Sequence, residues 1–355
     1  MTNLLLNETP VRTSKNFNIN NISVGNIEIS NKLKEFNNVS VSELGSKVVV
    51  DNNYNEKFEL KYGLNDELTK QVNDDANYKA NIVIDSKTNQ DVKVDFKFDK
   101  NNNELVDAIN IVANEGTKST VVIKYDSDDK TEAYHNGIIK AVGKSQASLN
   151  VIVVNFLNNK STNFMTIENS LEDDAKIYYY IIDFGGKTSI TNYYSNIKGK
   201  NADSKLNTLY IGTDEQLIDL NYIGELYGEK SNVNIEVQGA LKDKARKHFK
   251  GTIDFKKGCK KATGDENENC ILLSDTAKSL ALPMLLCSEE DVEGNHSTSS
   301  GKIAEKELFY IMSRGFEKKE ALKLMVRAKF NKIIDEIKDE DLKAEIIEQI
   351  DKRID

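Results

Sequence analysis

Short strand-like segments follow one another through residues 148–287, and no amphipathic helix of ten or more residues separates them. Runs of β-branched, aromatic and aliphatic residues bounded by Gly, Asn, Asp and Ser are typical of strands. The predicted strands are 150–156, 175–184, 189–197, 206–212, 216–222, 232–238, 251–255, 270–274 and 280–287. This pattern excludes Rossmann and TIM-barrel arrangements, which need a helix between successive strands.

The strand pattern predicts an all-β body, and a sandwich, a barrel and a stacked β-solenoid all fit it. The large number of short strands with polar corners favours a solenoid, in which each coil buries its inward side chains against the next coil. An ordinary β-sandwich is the alternative that the pattern leaves open.

The N-terminal third has a weaker pattern. Residues 1–40 are rich in Asn and Ser, and we predict an extended lead-in there. Residues 47–140 contain alternating runs, including 79–85 and 92–98, that are typical of half-buried strands. Residues 105–114 fit either a helical turn or a buried strand.

Helical patterns replace the strand patterns after His296. Residues 305–314 predict a short helix that ends at Gly315. Residues 317–337 and 341–354 each carry apolar residues at spacings of three and four, which gives one apolar face per helix. We therefore predict a mainly β fold in three parts. They are an N-terminal region with short strands (1–140), a β-helix core (141–300) and a C-terminal α-helical domain (301–355).

The charge balance is acidic: 57 acidic residues oppose 48 basic ones, for a formal net charge of -9. This argues against nucleic-acid binding, which needs a concentrated basic surface. No segment reaches the roughly 18 apolar residues that a membrane span requires, and residues 1–7 lack the basic region of a signal peptide. We therefore expect a cytoplasmic protein with no nucleic-acid or membrane partner. In that compartment Cys259, Cys270 and Cys287 are expected to be thiols.

Sequence motifs give little support to an enzyme. The chain lacks the phosphate-binding motifs GxxxxGK[ST] and strand-linked GxGxxG, as well as CxxC, HExxH and GxSxG. It has three histidines. His135 and His248 are isolated from other metal-binding residue types, and we predict that both lie on the surface.

His296 has a different neighbourhood. Thiolate, imidazole and carboxylate groups hold iron and its sulfide clusters, and four candidate ligands lie within 27 positions: Cys270, Cys287, Glu293 and His296. The two cysteines also fit the commonest role of cysteine in a strand, that of a small buried apolar residue.

These residues belong to a longer pattern. Residues 282–287 (LPMLLC), 290–296 (EDVEGNH), 301–303 (GKI) and 307–315 (ELFYIMSRG) resemble the C-terminal signature of the SufB/SufD scaffold proteins of the SUF iron–sulfur cluster assembly system. Residues 238–241 (QGAL), 251–255 (GTIDF) and 272–275 (LLSD) are similar to the β-core of the family, and residues 6–13 (LNETPVRT) resemble the segment that opens many of its SufD-type chains. The resemblance is firm over residues 145–337. Ser297 follows His296 where SufB has Glu, which favours a SufD-like chain.

The resemblance implies a right-handed parallel β-helix with a C-terminal helical domain. It also implies partners: a SufC-like ATPase bound through the C-terminal helices, and a SufB-like paralogue or a second copy of the chain paired through the β-helix. The phosphate-binding loop would then belong to the ATPase. A transient, nascent iron–sulfur cluster is expected at the subunit interface, with His296 and Cys270 as cofactor-binding residues and Cys287 and Glu293 as further metal ligands.

The support for Cys270 is indirect. Aligning residues 272–275 with the matching SufB segment places the counterpart of the SufB catalytic cysteine near Glu268, two positions before Cys270. A two-residue offset keeps a side chain on the same face of a strand, so Cys270 is a candidate substitute.

Three functions compete at this stage. The resemblance favours a cluster assembly scaffold without enzymatic activity of its own. A β-helix carbohydrate-active enzyme is the alternative from another class, although such enzymes are usually exported. The third is a metal-free structural adaptor of the SUF complex.

Overall fold

The computed structural model describes residues 4–13, 19–25, 33–43, 48–51, 56–85, 87 and 90–355. In chain order the elements are β1 (Leu4–Leu6), β2 (Ile22–Val24), β3 (Val39–Glu43), β4 (Val48–Asp51), α1 (Asp66–Asp75), β5 (Tyr78–Ile84), β6 (Gln90–Phe98), β7 (Glu104–Ala113), β8 (Lys118–Ser127), β9 (Tyr134–Gly143), β10 (Ser148–Phe156), β11 (Thr162–Leu171), β12 (Lys176–Asp183), β13 (Thr188–Ile197), β14 (Asp203–Gly212), β15 (Leu217–Leu226), β16 (Asn232–Leu241), β17 (Arg246–Phe255), β18 (Ala262–Leu272), β19 (Lys278–Cys287), β20 (Val292–Lys302), α2 (Glu305–Ser313), α3 (Lys318–Ile334) and α4 (Glu340–Ile354).

Two nine-stranded sheets contain the strands from β3 onwards. Sheet I has the order β20-β18-β16-β14-β12-β10-β8-β6-β3, and sheet II has the order β19-β17-β15-β13-β11-β9-β7-β5-β4. From β5 to β20 consecutive strands alternate between the sheets, and each pairs in parallel with the strand two places further along the chain. The chain therefore winds into a β-solenoid of about eight turns. The prediction of a β-helix is confirmed, and the sandwich alternative is wrong because sandwich strands pair antiparallel.

The core lies between the two sheets. Because the parallel strands are in register, the same inward position of successive turns forms a continuous ladder of buried side chains. One such ladder in sheet I runs through Val121, Val151, Tyr179, Leu206 and Ile235. Burial of apolar surface stabilises the folded state by about 25 cal/mol per Å². Each turn obtains this stabilisation only by packing on the neighbouring turns.

The C-terminal helices cover the outer face of sheet I. Val326 and Phe330 of α3 and Ile346 of α4 are buried in one apolar cluster with Val154 and Ile182 of the sheet. The apolar stripes predicted for these helices therefore pack on each other and on the solenoid. No helix in the described part of the chain combines the length and apolar character needed to span a membrane.

N-terminal segments cover the outer face of sheet II. Leu6 and Leu68 pack on Phe164 in a second apolar cluster. Asn7 fixes the segment in place: its Nδ2 donates to Asp219 Oδ1 over 2.5 Å, and Lys250 Nζ donates to the Asn7 carbonyl over 2.9 Å. Asn7 thus ties this segment to sheet II through buried polar contacts.

The stack of parallel strands begins earlier than the sequence predicted. Strands β5 to β8 form two turns before residue 140, so the predicted boundary at 140 falls inside the stack. Residues 105–114, which the pattern left undecided, lie mainly in strand β7. Alternation of apolar and polar residues indicates a strand, but it does not indicate which other strand that strand pairs with. The division into three domains stays a prediction.

The predicted surface position of His135 is wrong, because its side chain is fully buried. Its Nε2 lies 2.6 Å from Asp107 Oδ1, and its Nδ1 lies 2.7 Å from Asn163 Oδ1. These partners stand 28 residues before and after it, so neighbouring turns supply both. His248 is partly buried, with Nδ1 3.7 Å from Asp219 Oδ2.

Candidate functional site

Both sheets end on the turn formed by β19 and β20. β20 is the terminal strand of sheet I, β19 is the terminal strand of sheet II, and within the described ranges no further strand pairs with either. Side chains along β20 are exposed except at Val292, which is partly buried. We name this end of the solenoid the open end. Its free backbone N–H and C=O groups can pair with another strand.

His296 lies on β20 at the open end. Its Cα is the register partner of Glu266 on β18. Glu266, Glu268 and Cys270 share the buried face of β18, and aligned positions of parallel strands point the same way. His296 therefore stands on the inward-facing side of β20, and it is exposed because no turn of the described part of the chain covers it.

Cys270 is buried, with 4% of its surface exposed. Its register partner on β20 is Ser300, four positions beyond His296. Four strand positions span roughly 13 Å, so Cys270 and His296 are not neighbours. Burial raises the pKa of the Cys270 thiol. The charge of Lys247 and a hydrogen bond with Tyr210 act to lower that pKa, but the effect of burial is larger.

The other two predicted ligands lie elsewhere on the last turn. Cys287 ends β19 in sheet II, is exposed, and donates from Sγ to the Glu289 carbonyl over 2.9 Å. Glu293 is exposed on β20 and has the opposite parity to His296, so it points outward. Among the described residues, no group of three His, Cys, Asp or Glu side chains is placed to hold a metal ion. The ligand roles of all four residues stay predictions.

A buried polar cluster that sequence reasoning did not identify lies between the sheets, on strands β14, β17 and β18. Lys247 Nζ donates to Glu268 Oε1 over 2.8 Å, and the Tyr210 hydroxyl donates to the same oxygen over 2.9 Å. The Tyr210 ring occupies the space that a Cβ at position 239 would fill, which explains Gly239. The two-residue spacing of Glu266, Glu268 and Cys270 was the available signal, although the predicted strand began only at Cys270.

Glu266 is fully buried, and neither carboxylate oxygen has a hydrogen-bond partner. Its carboxylate packs on Gly251, where an added Cβ would lie 2.3 Å from Oε1. Burial, followed by the nearby charge of Glu268, raises the pKa of Glu266 to about 8. The second oxygen of Glu268, Oε2, also has no partner.

Helix α2 presents an apolar surface to solvent. Phe309 is 73% exposed and Tyr310 is 59% exposed, and Met312, Phe316 and Leu324 are also exposed. No residue of α2 is buried. Phe309, Tyr310 and Met312 thus expose large apolar side chains on one short helix, a feature that indicates a protein interaction surface.

Two parallel sheets wound into a solenoid and flanked by C-terminal helices define the chain as a β-solenoid protein. Residues 96–329, about two thirds of the chain, match the family described as SUF system FeS cluster assembly, SufBD core domain. The chain therefore belongs to the SufBD family of the SUF iron–sulfur cluster assembly system. The predicted resemblance to SufB/SufD proteins is confirmed.

Curated relatives agree with the family. The chain is 25% identical over 265 residues to the iron–sulfur cluster assembly protein SufD of Bacillus subtilis, and 23% identical over 240 residues to SufD of Escherichia coli. These matches cover 74% and 68% of this chain, and 61% and 57% of the relatives. A SufBD family protein of Pyrococcus horikoshii is 32% identical over 142 residues, which cover 40% of this chain and 31% of the relative. The chain thus spans about 60% of the length of its SufD relatives.

Proposed function

We propose that this chain is a cytoplasmic scaffold subunit of a SufBCD-type complex, with no enzymatic activity of its own. Its open end pairs with a SufB-like subunit or with a second copy, and its C-terminal helices bind a SufC-like ATPase. The family match favours this function over a carbohydrate-active β-helix enzyme. The metal-free adaptor is the alternative, and His296→Ala in the reconstituted complex separates it from a scaffold that ligates the cluster.

The open end is the observation that carries the proposal. It combines two free sheet edges with His296, a predicted ligand that lies within the family signature and stands on the inward-facing side of β20. Pairing with another solenoid would satisfy the free edges. It would also place His296 at the subunit interface, where a second chain can add ligands.

The exposed surface of α2 supports the ATPase partner. Phe309 and Tyr310 of α2 are exposed to water. A partner that covers these side chains gains binding free energy from the burial of apolar surface. The SufB/SufD resemblance implies SufC docking on this helical region. Nucleotide hydrolysis then takes place on the partner.

The nascent cluster is cargo of the complex. A neutral imidazole can ligate iron, and thiolates bind it more strongly. We propose His296 as this chain's contribution, with cysteine from the paired subunit. Cys270 is the second candidate, and the exposed Cys287 and Glu293 are weaker candidates because they lie on other faces of the last turn.

Anaerobic reconstitution tests the proposal. The full chain is mixed with a SufC-like ATPase, a SufB-like subunit, a sulfur donor, ferrous iron and ATP, and cluster absorbance is followed. We expect cluster formation to require this chain as well as the two partners. Equal cluster yield without this chain would contradict the scaffold function.

A further inference from the structure

A row of polar side chains crosses the outward face of sheet I and ends on the terminal strand β20. Its members are aligned by the strand register, and aligned positions of parallel strands point the same way. They are Glu236 and Gln238 on β16, Asn267 and Asn269 on β18, and Ser297 and Ser299 on β20. We name this set the polar ladder. Glu236, at its inner end, is buried, and the two serines at its outer end are exposed.

Glu236 determines the direction of the hydrogen bonds in the polar ladder. A carboxylate accepts hydrogen bonds and cannot donate them. Asn267 therefore turns its amide N–H₂ towards Glu236, with Nδ2 donating to Oε2 over 3.4 Å. Gln238 Nε2 donates to the other oxygen over 2.5 Å, and the ammonium of Lys332 on α3 lies 2.9 Å from Oε2. The amide oxygen of Asn267 is consequently left facing β20.

Both serines of β20 donate towards β18. Ser297 Oγ donates to Asn267 Oδ1 over 2.9 Å, and Asn269 Nδ2 donates to the same oxygen over 3.2 Å. Ser299 Oγ donates to Asn269 Oδ1 over 2.5 Å. A hydroxyl group has one donor hydrogen and two acceptor lone pairs. Each serine thus uses its one hydrogen within the polar ladder and presents acceptors to the next strand position.

A second copy of the chain is a poor match for these acceptors. The outward row of β20 reads Glu293, Asn295, Ser297, Ser299 and Gly301. A twofold dimer formed through this edge brings the row against itself. The row offers one amide donor, that of Asn295, for two serine acceptors. At least one serine of each copy then faces another acceptor or Gly301, and a hydrogen bond is lost.

We propose that the open end pairs preferentially with a non-identical subunit whose facing strand carries donor side chains opposite Ser297 and Ser299. Amide, ammonium and guanidinium groups are the donors of this class. Side chains at aligned positions of neighbouring strands reach each other, as Ser297 and Asn267 do. This inference rests on the proposed pairing of the open end and adds the chemistry of the partner. A strand of donors extends the polar ladder by one position.

Sedimentation equilibrium of mixed full-length variants tests the acceptor character of β20. The variant Ser297→Asn, Ser299→Asn places an amide donor at both positions. We expect it to pair with the wild-type chain at least about tenfold more tightly than with the variant Ser297→Ala, Ser299→Ala, which lacks both acceptors. Melting temperatures confirm that each variant is folded. Failure of the Asn variant to pair, or equal affinity for the two chains, would overturn the proposal.

Glu236 tests the direction of the polar ladder at a distance, since it lies two strands away from the free edge. A glutamine side chain donates as well as accepts, so Glu236→Gln allows the serines to turn their hydrogens outward. We expect self-association of this variant to exceed that of wild type at least about threefold. Glu336→Gln, at an ion pair with Lys205 outside the polar ladder, is the matched control and should leave self-association unchanged. Wild-type behaviour of Glu236→Gln would rule out the assigned direction.

Pairing with a SufB-like subunit separates this inference from the proposed function. Wild type should bind that subunit more tightly than it binds itself, and Ser297→Ala, Ser299→Ala should weaken this binding about tenfold. Tighter self-pairing by wild type would overturn the inference and leave the scaffold function intact. Absence of pairing with the SufB-like subunit would contradict the proposed function, while the mixed-variant comparison still decides the chemistry of the edge.

Discussion

Lys247 and Glu268 form an ion pair inside the solenoid, with an Nζ–Oε1 distance of 2.8 Å and no exposed surface on either side chain. Lys247 belongs to β17 in sheet II and Glu268 to β18 in sheet I. The pair therefore connects the two sheets across the core, just before the last turn.

Removing only one partner of this ion pair should lower the free energy of unfolding. Lys247→Met leaves Glu268 buried without its cation, and we expect a loss of about 3–5 kcal/mol in the free energy of unfolding. The double variant Lys247→Met, Glu268→Gln should recover part of that loss. Urea denaturation measures both, and a loss below about 0.5 kcal/mol in the single variant would contradict the ion pair.

Glu225 makes the folded protein sensitive to acid. Burial alone would raise the pKa of Glu225, but hydrogen bonds from Lys61 and Tyr194 and the charge of Lys256 outweigh it and lower the pKa to about 2, from an ordinary 4.5. Because the folded pKa is the lower one, this stabilisation is present above pH 4.5 and is lost as pH falls towards 2.

Replacing this carboxylate should remove that pH dependence. At pH 7 we expect Glu225→Gln to lower the free energy of unfolding by about 2 kcal/mol, allowing for solvent screening of Lys61. The difference from wild type should shrink as the pH drops below 4.5. Glu215→Gln, at an exposed ion pair with Lys244, is the control and should change little. A difference that does not vary with pH would contradict this account.

The exposed surface of α2 should control ATPase binding. Phe309→Asp is expected to weaken binding of a SufC-like ATPase at least about tenfold, because a charge replaces the most exposed aromatic side chain of the proposed docking helix. Its melting temperature should stay at the wild-type value, since α2 buries no residue. Leu5→Asp, an equally drastic change on another exposed surface, is the control.

Calorimetry or a pull-down measures that affinity. Point variants are preferable to deletion of the tail, because α3 and α4 cover the outer face of sheet I and their loss would expose it. Wild-type binding by Phe309→Asp would exclude this face of α2 from the interface.

Pairing should depend on the open end. Leu285 on β19 is exposed there, and Leu285→Glu would introduce a charge into any interface formed by the last turn. We expect sedimentation to show loss of self-association or of pairing with a SufB-like subunit. Val41→Glu on β3, at the opposite end of sheet I, is the matched control. Equal pairing by both variants would contradict the open-end interface.

Local strand patterns predicted an all-β body and most of its strands, although strand β11 (Thr162–Leu171) was missed. The resemblance to the SufB/SufD family, and not the pattern, selected the β-helix over the sandwich. Parity placed Glu268 and Cys270 on one face of a strand. The burial of His135 could not be predicted this way, since its partners Asp107 and Asn163 come from adjacent turns.

The candidate site was less predictable than the fold. Cys270 and His296 are close in sequence but lie four register positions apart on neighbouring strands. Cys287 lies in the other sheet. Because these residues are close in sequence, they were predicted to form one group of ligands. The strand register of the last turns places them apart. The ion pair of Lys247 depends on a contact between sheets, which no local pattern reveals.

The central claim is that His296 at the open end contributes to cluster assembly. The most direct measurement compares His296→Ala with Asn295→Ala, its outward-facing neighbour on β20, in the reconstituted complex. Cluster absorbance and melting temperature are recorded on the same preparations. We predict that His296→Ala lowers the cluster yield at unchanged melting temperature and ATPase binding, while Asn295→Ala matches wild type. Full cluster yield with His296→Ala would contradict the ligand role and support the metal-free adaptor.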